Sequence, residues 1–241
     1  MIVKFLCCVS DWSRKKLCLK KVSAHQPNFL PWAGFFHKLI SADIFVVCAA
    51  MQYVRRGYAN RVRMADNDTW ATIPVAANFG PSNQIRIAEP ASVQQIGRRI
   101  RHWSSQKKYP YRTRLVPIID RLQRSQDEFL SDLNIDLIRL TMEALGHKGT
   151  EIVVDTKLNN ADDIPKFIPA YGNIYLSGSS GPEYLKGGAL GKFESVYFQQ
   201  IARSTGPETV LHLIARETDP IASLTKAAIW RSWSDYFSEN E

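Results

Sequence analysis

The hydrophobic pattern near the start of the chain predicts a strand, a helix and a second strand in close succession. A short β-prone run covers 22–24, helical spacing follows over 37–42, and an apolar run covers 44–48. Between the first strand and the helix lies His-Gln-Pro-Asn-Phe-Leu-Pro-Trp-Ala-Gly-Phe-Phe, residues 25–36. In a βαβ unit, ligands bind at the carboxyl end of the first strand. We therefore expect a binding or active site in this loop.

The rest of the chain alternates between strand and helix patterns. Residues 51–64 mix polar and aromatic residues, which predicts a substrate-facing loop or short helix. Helical spacing predicts helices at 92–104, 115–129, 133–145, 161–171 (short or broken), 182–185, 209–214 and 221–233. We predict further strands at 69–75, 84–87, 151–154, 173–176 and 195–199. This order predicts an α/β fold, a Rossmann-like, mostly parallel sheet with flanking helices and a central helical insertion at about 92–146.

The net charge of +8 on the 241 residues is concentrated at the N-terminus. Residues 1–22 hold six Lys and Arg and one acid, whereas the rest of the chain holds 25 basic and 22 acidic residues. Such tails are usually solvated rather than specific. We therefore expect residues 1–21 to be a disordered or dispensable extension, followed by a single α/β domain over 22–241.

Cysteine usage follows the same division. Three cysteines lie in the extension and only Cys48 lies in the body, without a Cys–His zinc spacing. The chain has no signal-peptide pattern and no apolar run of membrane-spanning length. The sequence therefore predicts a cytoplasmic protein with no membrane insertion and no metal site.

Three residues of the first unit have side chains that can carry chemistry. His25 ends the strand, where it can act as a general acid–base or orienting donor, or can be satisfied by loop carbonyls. Lys38, one turn into the helix, can reach a phosphate or carboxylate or remain a surface lysine. Cys48 ends a buried strand as either a nucleophile or a small hydrophobic side chain.

Two further segments suit anion binding. Arg55, Arg56, Arg61 and Arg63 can hold a phosphate, a carboxylate or an RNA backbone, or form only a solvated face. The segment Ser-Gly-Ser-Ser-Gly-Pro at 177–182 lies between a strand and a helix start, where free amides can hold an anion, although capping turns have the same composition. The sequence contains no Walker A loop, Gly-x-Ser-x-Gly elbow or HExxH motif.

The chain resembles the WbqC-like proteins. The residues His-Gln-Pro-Asn-Phe-Leu-Pro-Trp-Ala-Gly-Phe-Phe-His-Lys at 25–38 and Ala-Asp-Ile-Phe-Val-Val at 42–47 are similar to the opening of that family. Similarity extends over roughly 22–214 through Gln52-Tyr53, Asn60-Arg61, Leu133-Asn134 and Tyr175-Leu176-Ser177-Gly178. The chain departs from the family at Ala49-Ala50, where paired aspartates are usual, and at His212, where an aspartate is frequent.

A weaker resemblance concerns the scaffold. The strand, the proline-containing loop and the helix ending in Ala-Asp are similar to the start of nucleotidylyltransferases and pantothenate synthetases. Their His-x-Gly-His motif would fall on 32–35, which lacks both histidines. This resemblance implies a Rossmann-like fold but not that family's catalysis.

The WbqC-like resemblance implies an acyl- or aminoacyltransferase that forms an amide on an amino sugar or small amine in a polysaccharide or specialised-metabolite pathway. His25 would deprotonate or orient the amine, with Gln26 and Asn60 as polar clamps. The donor would be a carrier-bound thioester, coenzyme A or aminoacyl-tRNA, so a carrier protein or tRNA is a candidate partner. The alternatives are an ATP-dependent ligase or nucleotidylyltransferase, and an RNA- or tRNA-binding module. The residues expected to bind substrate or donor are Asn28, Trp32, Lys38, Gln52, Tyr53, Arg56, Arg61, Ser177, Gly178 and Ser179.

Overall fold

The strands of this computed structural model form one large sheet and one small hairpin. The structure describes residues 19–64, 69–185 and 191–238, so residues 1–18 of the expected extension lie outside the described residues. The strands are β1 (Lys21–His25), β2 (Ile44–Cys48), β3 (Arg61–Met64), β4 (Thr69–Thr72), β5 (Glu151–Asp155), β6 (Ile174–Ser177), β7 (Ser195–Ile201) and β8 (Ala228–Ser232). Within the described ranges, six of them form a sheet in the order β5-β2-β1-β6-β7-β8, and β3 pairs with β4.

The large sheet is parallel from β5 to β7, and β8 joins its edge antiparallel. β2 is buried at all five positions, as expected for a strand of a parallel sheet covered on both faces. Phe45 and Val47 pack into the core on one face, while Val46 and Cys48 pack into the core on the other. This arrangement confirms the predicted Rossmann-like, mostly parallel α/β fold.

Helices flank the sheet and form the predicted central insertion. The helices are α1 (Ala33–Ile40), α2 (Pro90–Ser104), α3 (Val116–Gln123), α4 (Leu130–Leu145), α5 (Ile164–Phe167), α6 (Gly181–Tyr184), α7 (Leu211–Arg216), α8 (Pro220–Thr225) and α9 (Trp233–Ser238). Gly146 ends α4 in the left-handed conformation, with φ of 73°, which glycine adopts without steric cost. None of the described helices is long and apolar enough to cross a bilayer.

The strand order places a topological switch point between β1 and β6. From β1 the chain passes through α1 to β2 on one side, whereas from β6 it passes to β7 on the other side. At such a point, the connections leave the carboxyl ends of adjacent strands in opposite directions and open a crevice between them. The loop that follows β1 and the Ser-Gly-Ser-Ser turn that follows β6 therefore meet at one edge of the sheet.

Four local predictions are wrong. The helix predicted over 221–233 ends at Thr225, and 228–232 form β8, because pairing with β7 satisfies the backbone there. The segment 61–64, predicted as loop or helix, is strand β3 paired with β4. The strand predicted over 84–87 contributes only isolated bridges, and the helix predicted over 115–129 ends at Gln123.

Candidate functional site

A cavity of about 180 Å³ opens at the switch point. His25 and Cys48, the last residues of β1 and β2, line it together with Gly178 and Ser180 from the turn after β6. Lys38 enters from α1. We call this space the Lys38 cavity. It contains three groups able to gain or lose a proton, at the sheet edge where α/β proteins bind ligands.

Lys38 lies in a helix that is buried on nearly all sides. Residues 34–39 of α1 are all buried, and Lys38 is 3% exposed. Its Nζ donates a hydrogen bond of 2.9 Å to the Ala24 carbonyl. Burial disfavours the ammonium form and lowers the pKa of Lys38 to about 7. A substantial fraction of this side chain is therefore neutral amine at neutral pH, with a lone pair available for a proton.

Gly178 leaves the space beside this amine open. A Cβ at this position would lie 3.8 Å from Lys38 Nζ, an ordinary van der Waals distance. The absent side chain therefore leaves room for a ligand atom next to Nζ. This approach depends on the register of β6, whose last residue Ser177 is fully buried and directly precedes Gly178.

His25 is held as a neutral imidazole. Its Nδ1 donates to the Gln26 carbonyl at 2.9 Å, because a carbonyl can only accept, and Nε2 is then an acceptor. The ring packs edge-on against Phe35 with centroids 5.0 Å apart. Burial, with the charge of Lys38, lowers the pKa of His25 to about 3, and the bond to Gln26 opposes this shift. His25 is therefore suited to orient a ligand group that donates a hydrogen bond to Nε2, rather than to carry a proton itself.

Cys48 is a protonated thiol in this environment. Its Sγ lies 3.6 Å from the Val46 carbonyl, and burial raises the pKa of the thiol to about 12. The thiolate, which is the nucleophilic form, is scarcely populated at neutral pH. Of the two interpretations of Cys48, the structure favours the small buried side chain.

Asp155 was not identified from the sequence, although it borders the same edge. It pairs with Cys48 in the register of β5 and β2. One carboxylate oxygen accepts from the amides of Lys157 and Leu158, and the other accepts from the Tyr171 hydroxyl at 2.9 Å. An aspartate that directly ends an apolar strand, as in Glu-Ile-Val-Val-Asp, is the signal that could have indicated it.

The loop after β1 is fixed by hydrogen bonds to distant parts of the chain. Gln26 Nε2 donates to the Gln52 carbonyl at 3.1 Å, and the Phe29 amide donates to the Tyr58 carbonyl at 2.9 Å. The amide of Asn134, on α4, donates to the carbonyls of Pro27 and Ala59, each at 2.8 Å. The helical insertion therefore holds the loop that directly follows His25.

The cavity brings together four of the predicted site residues, His25, Gln26, Lys38 and Gly178. Ser177 lies directly behind Gly178, and Ser179 is exposed beside it. Asn60 Nδ2 donates to the Ile73 carbonyl at 2.9 Å, and the Trp32 ring covers Gly34, so both side chains pack elsewhere. The predicted residues outside the cavity lining are Asn28, Trp32, Gln52, Tyr53, Arg56, Asn60, Arg61, Ser177 and Ser179.

The residues 53–63, which we call the arginine segment, include exposed, half-buried and buried positions. Arg55 and Arg56 are exposed. The Arg61 guanidinium lies 4.2 Å from the Trp70 ring centroid and donates to the carbonyls of Gly57 and Arg56. Burial raises the pKa of Tyr53, so this phenol is neutral, although Arg61 and Arg55 oppose the shift. Arg61 is therefore engaged by its own loop.

The described residues contain no group of three or more His, Cys, Asp or Glu side chains arranged to hold a metal ion. Groups that could contact a cofactor in the cavity are the Lys38 amine, the His25 imidazole and the hydroxyl of Ser180, which lines its rim. This set can exchange a proton and donate or accept hydrogen bonds.

Comparison with known proteins identifies one family. A model of the WbqC-like protein family matches residues 26–203, most of the chain. A protein of Mycobacterium tuberculosis (strain ATCC 25618 / H37Rv), described as uncharacterized, is 37% identical over 59 residues, which cover 24% of this chain and 26% of that protein. The matched part thus spans about a quarter of that relative. No solved structure matches the chain.

Proposed function

This chain belongs to the WbqC-like protein family, and from that membership and the Lys38 cavity we propose that it is a biosynthetic acyl- or aminoacyltransferase. It joins an acyl group to an amino sugar or small amine through an amide bond. The observation that carries the proposal is Lys38, a buried amine with its pKa lowered to about 7 at the ligand-binding edge of the sheet.

Amide formation requires a group that accepts a proton from the attacking amine. When the amine nitrogen bonds to the carbonyl carbon of the donor, it must lose a proton as the carbon–sulfur or carbon–oxygen bond of the donor breaks. Neutral Lys38 takes that proton, and the resulting ammonium then returns it to the departing thiol or alcohol. A base is most effective when its pKa lies near the working pH, which Lys38 satisfies.

The other groups of the cavity orient the acceptor amine and leave room for the donor carbonyl. Nε2 of neutral His25 accepts a hydrogen bond from the acceptor amine and directs its lone pair. The space beside Gly178 admits the donor carbonyl next to Nζ, where the ammonium of Lys38 faces the developing oxyanion. Because the Cys48 thiol stays protonated, the acyl group passes directly from donor to acceptor without an acyl-cysteine intermediate.

The test uses the full chain with glycyl-coenzyme A, glycyl-pantetheine and glycyl-tRNA as donors and glucosamine as acceptor. The amide product is quantified by mass spectrometry. We expect product from at least one donor and a fall in kcat of about 100-fold or more in Lys38→Met, the range typical of a lost general base. Lys148→Met, which changes an exposed lysine, is the matched control and should retain full activity.

Two further measurements separate a base from a structural lysine. In the free enzyme, kcat/KM should rise with pH through about 7, as Lys38 loses its proton. Gly178→Ala should fold normally, because the added methyl makes an ordinary contact, yet lose turnover, because that methyl fills the space beside Nζ that the donor carbonyl would enter. Absence of amide with every donor, or full activity in Lys38→Met, would overturn the proposal. Product formed only from free glycine and ATP, with release of AMP, would replace the transferase with a ligase.

A further inference from the structure

A second pocket, of about 280 Å³, lies at the other end of the loop that follows β1. It is lined by Ala33 at the start of α1, by Gly206, Glu208 and His212 around α7, and by Lys226 after α8. We call it the Glu208 pocket. We propose that it binds a small zwitterion, such as a free amino acid, through Glu208 on the ammonium end and Lys226 on the carboxylate end. The described residues that line it are distinct from those of the Lys38 cavity, so this proposal does not depend on the transfer reaction.

The carboxylate of Glu208 lies against Gly206 at the pocket wall. A Cβ on residue 206 would lie 2.0 Å from Glu208 Oε2, so the carboxylate occupies the space that the side chain of Gly206 would fill. Within the described ranges, this half-buried carboxylate makes no hydrogen bond or ion pair. A buried or half-buried charge is stabilised by a partner, and an ammonium group of a ligand supplies one.

The opposite charge lies on a different element. Lys226 follows α8 and lines the same pocket, and in the described part of the chain its ammonium forms no ion pair with Glu208 or another carboxylate. Arg216 adds positive charge nearby, although its Nε donates to Glu217 at 2.9 Å. A simple anion would face Glu208 and a simple cation would face Lys226. A ligand that carries both charges can pair its ammonium with Glu208 and its carboxylate with Lys226.

A rigid aromatic group supports the pocket wall. The His212 ring stacks on Trp103 with centroids 4.0 Å apart, and its Nδ1 is hydrogen-bonded to the Tyr109 hydroxyl at 2.9 Å. These contacts fix α7 against α2. A pre-formed wall reduces the ordering cost of binding, which matters for a ligand with few atoms.

The test is isothermal titration of the full chain with glycine, L-alanine and L-serine, with acetate and ethylamine as single-charge controls. We expect at least one amino acid to bind with 1:1 stoichiometry and neither control to bind at the same concentrations. Glu208→Gln and Lys226→Gln should each weaken the affinity at least tenfold. Glu151→Gln, which changes an exposed carboxylate on β5, should leave the affinity unchanged.

Gly206→Ala provides a second probe, because it displaces the Glu208 carboxylate and keeps its charge. It should weaken amino acid binding about as much as Glu208→Gln, with circular dichroism confirming that each variant folds. The proposal is overturned if none of the amino acids binds, if binding is unchanged in both charge variants, or if acetate binds as well as the amino acids.

Discussion

The Lys38 cavity and the arginine segment both contain positively charged residues that are predicted from the sequence as site residues, but they differ in burial. Among the described residues that line the cavity, Lys38 is the only lysine or arginine, and it is 3% exposed. The arginine segment has more positive charge, but Arg55 and Arg56 are exposed and Arg61 is bound to its own loop carbonyls. The larger number of positive charges and the buried amine therefore lie in different places.

Burial, rather than the number of positive charges, determines which of these groups titrates near neutral pH. A guanidinium in water stays protonated and can hold an anion but cannot act as a base. A lysine removed from water has its charged form disfavoured, and its pKa falls into the working range.

The largest expected effect is on the pH dependence of stability. The pKa of Lys38 is about 7 in the folded state and about 10.4 in an unfolded chain, so between these values the unfolded state binds more protons. Deprotonation of this side chain in the native state therefore stabilises the wild type as pH rises through that window, by at most about 1.4 kcal/mol per pH unit.

Urea unfolding of wild type and Lys38→Met from pH 6 to pH 10 measures this effect. Lys38→Met lacks the titrating group. The difference in free energy of unfolding, variant minus wild type, should therefore be greatest at pH 6 to 7 and fall by several kcal/mol toward pH 10. Lys148→Met should follow the wild-type profile, because an exposed side chain is in water in both states. Parallel profiles for Lys38→Met and wild type would show that Lys38 is not desolvated, and the contrast would disappear.

The next effect concerns Asn134, which joins the two regions. Its amide donates to Pro27, in the loop beside the cavity, and to Ala59, in the arginine segment. Asn134→Leu keeps a similar volume but leaves two buried carbonyls without their donor, which should cost about 2–4 kcal/mol in the free energy of unfolding. Asn159→Ala, a change at an exposed asparagine, should cost less than about 0.5 kcal/mol. A loss below 1 kcal/mol in Asn134→Leu would mean that the two regions are positioned independently.

The sequence predicted the sheet because its strands are apolar runs with clear boundaries. β2 is buried at all five positions, and the turn after β6 follows at Gly178. It did not predict β8, since 228–232 continues a helix-compatible pattern and becomes a strand only by pairing with β7.

The site was predicted less completely than the sheet. His25, Gln26, Lys38 and Gly178 were predicted as site residues, but the burial of Lys38 was not predicted. One signal was present, because α1 reads Ala-Gly-Phe-Phe-His-Lys-Leu-Ile, and a helix that is apolar on nearly all sides is a buried helix. The contacts of Asn134 with Pro27 and Ala59 join residues far apart in the chain, and no local pattern encodes them.

The smallest expected effect lies in the arginine segment. Arg56 adopts a left-handed backbone with φ of 63°, which costs a non-glycine residue roughly 1 kcal/mol, and its side chain is exposed. Arg56→Gly removes this steric cost, partly offset by the greater chain entropy of glycine, so the protein should be unchanged or stabilised by up to about 1 kcal/mol. Arg55→Gln has no backbone effect and serves as the charge-only control.

On the proposed reaction, both variants should change kcat by less than twofold, because neither side chain lines the Lys38 cavity. A rise in KM for an anionic donor at unchanged kcat would assign this segment to donor binding. A tenfold loss of kcat would show that the arginine segment takes part in the reaction, contrary to its contrast with the Lys38 cavity.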